Sequence, residues 1–175
     1  MTRCYFLIGP PASGKSSWIA RNRFLLDPVV ISSDDYSSAE AARLGLSYHD
    51  YVKQMDYQEV VKRLSTKMVE AVMRSAVIVI DQTNCSVKDR KLFRRFIPAS
   101  YETIGVVFEW REEVLRERLA RRESQTGKHV PTYVLEQKMR SFMHPLPHEF
   151  DHVLINPLNN IQDISEWLAV TVREQ

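Results

Sequence analysis

Residues 9–16 read Gly9-Pro10-Pro11-Ala12-Ser13-Gly14-Lys15-Ser16, a complete G-x-x-x-x-G-K-S string. It follows the apolar run Cys4-Tyr5-Phe6-Leu7-Ile8. A buried strand, a glycine loop and then a helix is the context in which this string binds phosphate. Backbone N–H groups of such a loop, here from Gly9, Ala12, Ser13, Gly14, Lys15, Ser16 and Ser17, wrap the phosphates of a nucleotide. The Lys15 ammonium then reaches the β- and γ-oxygens, and the Ser16 hydroxyl ligates Mg²⁺. The expected ligands are therefore ATP or GTP and Mg²⁺.

Three further segments bear on what happens to the γ-phosphate. Ile31-Ser32-Ser33-Asp34-Asp35-Tyr36 closes an apolar strand with two carboxylates. Transfer to a hydroxyl needs a base that takes the proton and aligns the attacking oxygen. Asp34, nearer the strand end, is the candidate base. Asp35 is the spare, expected on Mg²⁺ through water, at the cap of the following turn, or beside the acceptor. The second segment, Ile80-Asp81-Gln82-Thr83-Asn84, ends another apolar strand on an acid, the Walker-B position that holds Mg²⁺ or its water shell. Asp81 takes that role. Thr83 and Asn84 are placed to hydrogen-bond phosphate or acceptor, or serve only as loop and cap residues.

The third segment is a run of arginines, Arg111, Arg116, Arg118, Arg121 and Arg122, followed by Lys128 and Val130-Pro131. A lid that closes over ATP must exclude water and bring guanidinium to the transferring phosphate. Arg121 and Arg122 are best placed, with Arg118 one turn earlier. Arg111 and Arg116 read as a solvated face with pairs such as Glu112–Arg116. A further basic cluster, Lys88, Arg90, Lys91, Arg94 and Arg95, follows Asn84. It is either a contact for the backbone of a nucleic acid, with Arg90 in the acceptor site, or the wet face of a helix whose apolar side is Leu92, Phe93 and Phe96.

These residues need a scaffold, and the chain supplies strands alternating with helices. Strands are expected at 3–8, 29–32, 76–80, 103–108 and 153–155. Helices are expected from 15 or 16 to 24, from 50 to 74, and over 87–96, 112–123, 134–142 and 161–172. Residues 123–129 read as a mobile loop. Alternation of this kind predicts an α/β fold of three layers: a central, mostly parallel five-stranded sheet between helices, with a helical, arginine-bearing lid at about 118–131. Ligands of such sheets bind beyond the carboxyl ends of the strands, where all these motifs fall.

The bulk properties agree with one domain spanning residues 1–175. The apolar fraction of 44% and the charged fraction of 26% are those of an ordinary globular chain. A net charge of +2 announces no general affinity for nucleic acid, so any basic patch is local. Cys4 and Cys85 form no disulfide framework and read as free thiols in a reducing compartment. With the first strand beginning at once and no long apolar run, a cytoplasmic protein without a membrane span is expected. His144, His148 and His152 are spaced by four, but Pro145 and Pro147 forbid the helix that would bring them together, and they read as surface residues. Trp18, Trp110 and Trp167 read as packing residues.

Taken in order, the phosphate loop with Trp18, the Asp34-Asp35 segment, Asp81-Gln82-Thr83-Asn84 with its basic helix, and the arginine helix before Val130-Pro131 resemble the kinase module of the polynucleotide 5′-hydroxyl kinases. The resemblance spans about residues 1–155, and Phe150-Asp151 before the last strand fits bacterial relatives. It implies ATP–Mg²⁺ on Lys15 and Ser16, activation of a 5′-hydroxyl of DNA or RNA by Asp34, and a lid arginine near Arg121. Two positions depart from the phage enzyme of that family. Ser37 stands where an arginine contacts the acceptor's phosphate, and Gln125 or Thr126 stands where the lid has a second arginine. Related proteins with the same skeleton phosphorylate small molecules. A sugar- or nucleoside-type kinase is thus the alternative, followed by a nucleotide-binding ATPase module that transfers to no acceptor.

Overall fold

The computed structural model describes residues 1–156, apart from the side chains of 24–26. Alternation along β1 (Thr2–Ile8) sends Cys4, Phe6 and Ile8 to one apolar cluster and Tyr5 and Leu7 to another. Both clusters are closed to water, which is why this strand reads as an unbroken apolar run. β2 (Val29–Ser32), β3 (Ile78–Asp81), β4 (Tyr101–Phe108) and β5 (His152–Asn156) complete a five-stranded sheet of order β2-β3-β1-β4-β5. Every pairing in it is parallel, so the sheet is wholly rather than mostly parallel.

Helices cover both faces. The first cluster takes Val60, Leu64, Met68 and Ala71 from α4 (Tyr57–Met73) and Phe93 from α5 (Val87–Arg94). The second takes Trp18 from α1 (Lys15–Leu26), whose ring lies 5.7 Å from that of Tyr5. The expectation that Trp18 packs in the core holds, and Trp110 meets Phe142 edge-on. The helix expected over 161–172, and Trp167 in it, lie outside the described residues.

Two expectations on the helices are corrected. The segment after β2 is not a turn but a twelve-residue helix, α2 (Ser33–Leu44). Ser32 caps it by accepting from the Asp35 N–H at 3.1 Å, Asp34 and Asp35 fill its first turn, and Gly45 ends it at φ 68°. The single helix expected over 50–74 is two, α3 (Tyr48–Gln54) and α4, because Met55 is extended and Asp56 starts a new cap on the Gln58 N–H. Ser86 caps α5 as its position suggests, through the Asp89 N–H. α6 (Glu112–Thr126) runs through the beginning of the expected loop and stops only at Gly127, φ 69°; α7 (Thr132–Arg140) follows. No helix among the described residues is long and apolar enough to cross a membrane.

Candidate active site

The carboxyl ends of β1, β2 and β3 meet at one edge, and the phosphate loop leaves β1 there. Its form depends on two glycines. Gly14 has φ 110°, a conformation few side chains accept, and a Cβ on Gly9 would stand 2.6 Å from Ser13 Oγ. The Gly9 N–H donates to the Thr83 carbonyl at 2.9 Å, tying the loop to the end of β3. No side chain caps α1, so the first-turn N–H groups of Lys15, Ser16 and Ser17 face outward as an anion site. The Ser16 and Ser17 side chains are exposed, and Ser13 is buried under the loop.

Lys15 folds over this cradle. Its Nζ donates to the carbonyls of Gly9 at 2.9 Å and Pro10 at 2.8 Å. Burial lowers its pKa; the negative charge of Asp81 and then of Asp34 opposes that, and Arg122 adds to it. The register pairs Ser32 with Asp81, which sets the start of α2 beside the end of β3 although β2 does not touch β1. Asp81 is pushed up to about 6, first by burial and then by Asp35 and Asp34, with Lys15 pulling the other way. Asp81 and Asp34 thus act on one ammonium, and Asp35 adds its charge to that of Asp34 at Asp81. That excess of negative charge is what a divalent cation would relieve. Among the described residues no three His, Cys, Asp or Glu side chains form a metal cage. Mg²⁺ suits such an open arrangement, since it is held by one or two protein oxygens together with substrate phosphates. Ser16 and Asp81 fit that role.

Asp34 is exposed in the first turn of α2, and its Oδ1 accepts from the Tyr48 hydroxyl at 2.9 Å. Burial, followed by the charge and hydrogen bond of Asp34, pushes the Tyr48 phenol upward. Asp35 is exposed beside it, with its N–H spent on the Ser32 cap. Ser33 Oγ donates to Gln82 Oε1 at 2.8 Å, a second link between α2 and the end of β3.

The arginines of α6 separate by helical face. Arg118 donates to the Ala12 carbonyl of the loop at 3.2 Å. Arg122, one turn on, is half-buried, and its charge is felt by both Lys15 and Tyr48. Arg121 is exposed, on the side of α6 away from that stripe. Arg116 pairs with Glu112 at 2.6 Å, as a solvated face would.

Two residues expected at the acceptor lie elsewhere. Asn84 is buried at φ 48°, and its Nδ2 donates to the carbonyls of Leu7 (2.8 Å) and Ile80 (3.3 Å), bracing β1 against β3. Arg90 is 1% exposed. Its guanidinium makes a two-pronged pair with Glu149, at 2.6 and 2.9 Å, and donates to the carbonyls of Asn84 and Met143 at 3.1 and 3.0 Å. It clamps the loop after β3 and is closed to any acceptor. Thr83 keeps a partly exposed side chain, which hydrogen-bonds Cys85. Ser37, expected to stand where the phage enzyme of the resembling family has arginine, is buried with its Oγ 3.7 Å from Met55 Sδ. His144 stacks edge-on with Phe142 and His152 bonds Glu102, so the three spaced histidines share no site.

Tyr48 and Gln82 are the site residues that sequence reading missed. Nothing in the chain around Tyr48 marks it; only the α2–α3 hairpin brings it to Asp34.

The family profile described as AAA domain, AAA_33, matches residues 5–145. No curated protein matches the chain significantly. Among solved structures, a candidate kinase from Chloroflexus aurantiacus J-10-fl is 16% identical with a TM-score of 0.73, over 99% of this chain and 97% of that one. A sugar kinase from Janibacter sp. HTCC2649 is 16% identical with a TM-score of 0.65, over 99% and 94%. A fungal RNA kinase is 15% identical with a TM-score of 0.55, over 99% of this chain but 44% of the larger one. At these identities the likeness is one of fold, and that fold is the P-loop kinase fold. Given a profile match over most of its length, the chain belongs to the AAA domain family AAA_33.

Proposed function

We propose that this protein is an ATP-dependent kinase that moves the γ-phosphate to an alcohol. The observation that carries the reading is Asp34, an exposed carboxylate already hydrogen-bonded to a hydroxyl, within the electrostatic reach of Lys15 in the phosphate loop. In this reading the loop amides and Lys15 hold the triphosphate. Ser16 and Asp81 hold Mg²⁺, which supplies charge neutralisation at the phosphates. Asp34 aligns the acceptor oxygen and takes its proton as that oxygen attacks phosphorus. Arg122 offsets charge on the transferring group, and Arg118 fastens the lid to the loop.

For the acceptor we propose the 5′-hydroxyl of a DNA or RNA end. The order of the four motifs supports it, as do Lys88, Lys91 and Arg95, which remain exposed on and beside α5. A small polyhydroxy acceptor is the second reading, favoured by the burial of Arg90 and Ser37, both of which would otherwise face a nucleic acid phosphate. One experiment separates them. The protein is incubated with γ-labelled ATP and a panel of 5′-hydroxyl oligonucleotides, nucleosides and sugars, at low and high salt. Label on an oligonucleotide that fades steeply with salt supports the first acceptor; label on a sugar or nucleoside with little salt slope supports the second. No labelled alcohol refutes the kinase.

A further inference from the structure

The Tyr48 hydroxyl does to Asp34 what an acceptor alcohol must do, donating to Oδ1 at 2.9 Å. The same tyrosine meets the lid. Lys128, just past the end of α6, places its Nζ 4.7 Å from the centre of the Tyr48 ring and donates to Ser38 Oγ at 2.7 Å. Ser38 in turn donates to the Asp34 carbonyl at 2.7 Å. Acceptor seat and lid are therefore joined through one side chain. The element that carries it is weakly held. α3 is seven residues long, none of them buried. A two-turn helix has little stability of its own, and segments with few buried contacts are the ones that open locally.

Resting on the kinase reading above, we propose that Tyr48 is an internal surrogate for the acceptor. Its hydroxyl occupies the seat on Asp34 until the substrate alcohol displaces it, and displacement frees Lys128 from the Tyr48 ring. Tyr48 is then a gating and positioning residue. It keeps Asp34 from activating water while no acceptor is present, and it lowers apparent acceptor affinity because the competent, open state is only a fraction of the molecules. The rival role is support, in which the phenol steadies Asp34 so that its other oxygen can work.

The two roles differ in which kinetic constant moves. Tyr48→Phe keeps the ring and its Lys128 contact and deletes the donor. The test is made on the full chain, with a 5′-hydroxyl oligodeoxynucleotide or whichever panel alcohol takes label. The gate predicts that acceptor KM falls about three- to tenfold, the scale of one exposed hydrogen bond, and that ATP hydrolysis without acceptor rises. An unchanged KM with a lower kcat overturns it. A second readout is hydrogen exchange of the α3 amides in the wild-type protein. Saturating acceptor accelerates exchange if Tyr48 is displaced, and unchanged or slower exchange overturns the proposal. Wild-type protein that labels no alcohol defeats the kinase reading and this inference together. Labelling with an unaltered Tyr48→Phe acceptor KM defeats the gate alone.

Discussion

Replacing Arg90 by methionine distinguishes a clamp from an acceptor contact. Its guanidinium is 1% exposed and satisfies Glu149 together with the carbonyls of Asn84 and Met143. Burial pushes the Glu149 carboxyl up, but the Arg90 hydrogen bonds and the Leu146 N–H outweigh it and hold the group below its ordinary value. Methionine fills much of the volume and leaves those acceptors unmatched. Removing one member of a buried pair costs about 3–5 kcal/mol. The Glu149 side chain is 14% exposed and recovers some hydration, so the lower end applies, about 3 kcal/mol. For a chain of this length that is a fall in Tm of about 6–12 °C. Thermal and urea unfolding of the free protein read it directly. Glu149→Leu added to Arg90→Met should recover part of the loss, since no carboxylate is then left uncompensated. A loss below about 1 kcal/mol, with a steep rise in acceptor KM instead, would refute the clamp and return Arg90 to the acceptor.

Three further outcomes are expected. Arg122→Ala should lower transfer by about a hundredfold, on the scale of removing one transition-state donor, while Arg121→Ala stays within about threefold; equal losses would contradict the assignment of faces. Asp81 is held at about 6 against an ordinary 3.8, so the folded state keeps a proton that the unfolded chain releases. Its contribution to stability therefore declines as pH rises from about 4 to 6, and Asp81→Asn should gain on the wild type by about 3 kcal/mol across that window and no further above it, measured by urea unfolding without nucleotide. Gly105→Ala would put a Cβ 2.8 Å from Phe150 Cδ2, and overpacking there should destabilise by about 1–3 kcal/mol, read by thermal unfolding.

Much of the frame was legible because parallel strands buried on both faces leave apolar runs, as in Cys4–Ile8 and Ile78–Ile80, and because the phosphate loop fixes both residue types and spacing. α2 was not legible. Ser33, Asp34 and Asp35 look like a turn until Ser32 is seen capping them, and caps and turns use the same residues. The Arg90 error had a signal that was available. Arg90 stands three residues before Phe93, on the stripe that α5 buries, whereas Lys88 and Lys91 do not. The arginines of α6 had a similar one. Leu115, Arg118 and Arg122 fall at i, i+3 and i+7, and the buried Leu115 marks the inner face that Arg121 leaves. Tyr48 could not be found this way, since its contact with Asp34 is made by the angle between two helices and not by any periodicity.

The central claim is that one carboxylate on α2 receives the acceptor's proton. Asp34→Asn tests it most directly, because the amide keeps the shape and loses the base. ATP binding by the variant should stay within a few-fold of wild type, while transfer to the acceptor falls by about a hundredfold or more. An asparagine variant that binds ATP normally and transfers phosphate at a near wild-type rate would contradict the account.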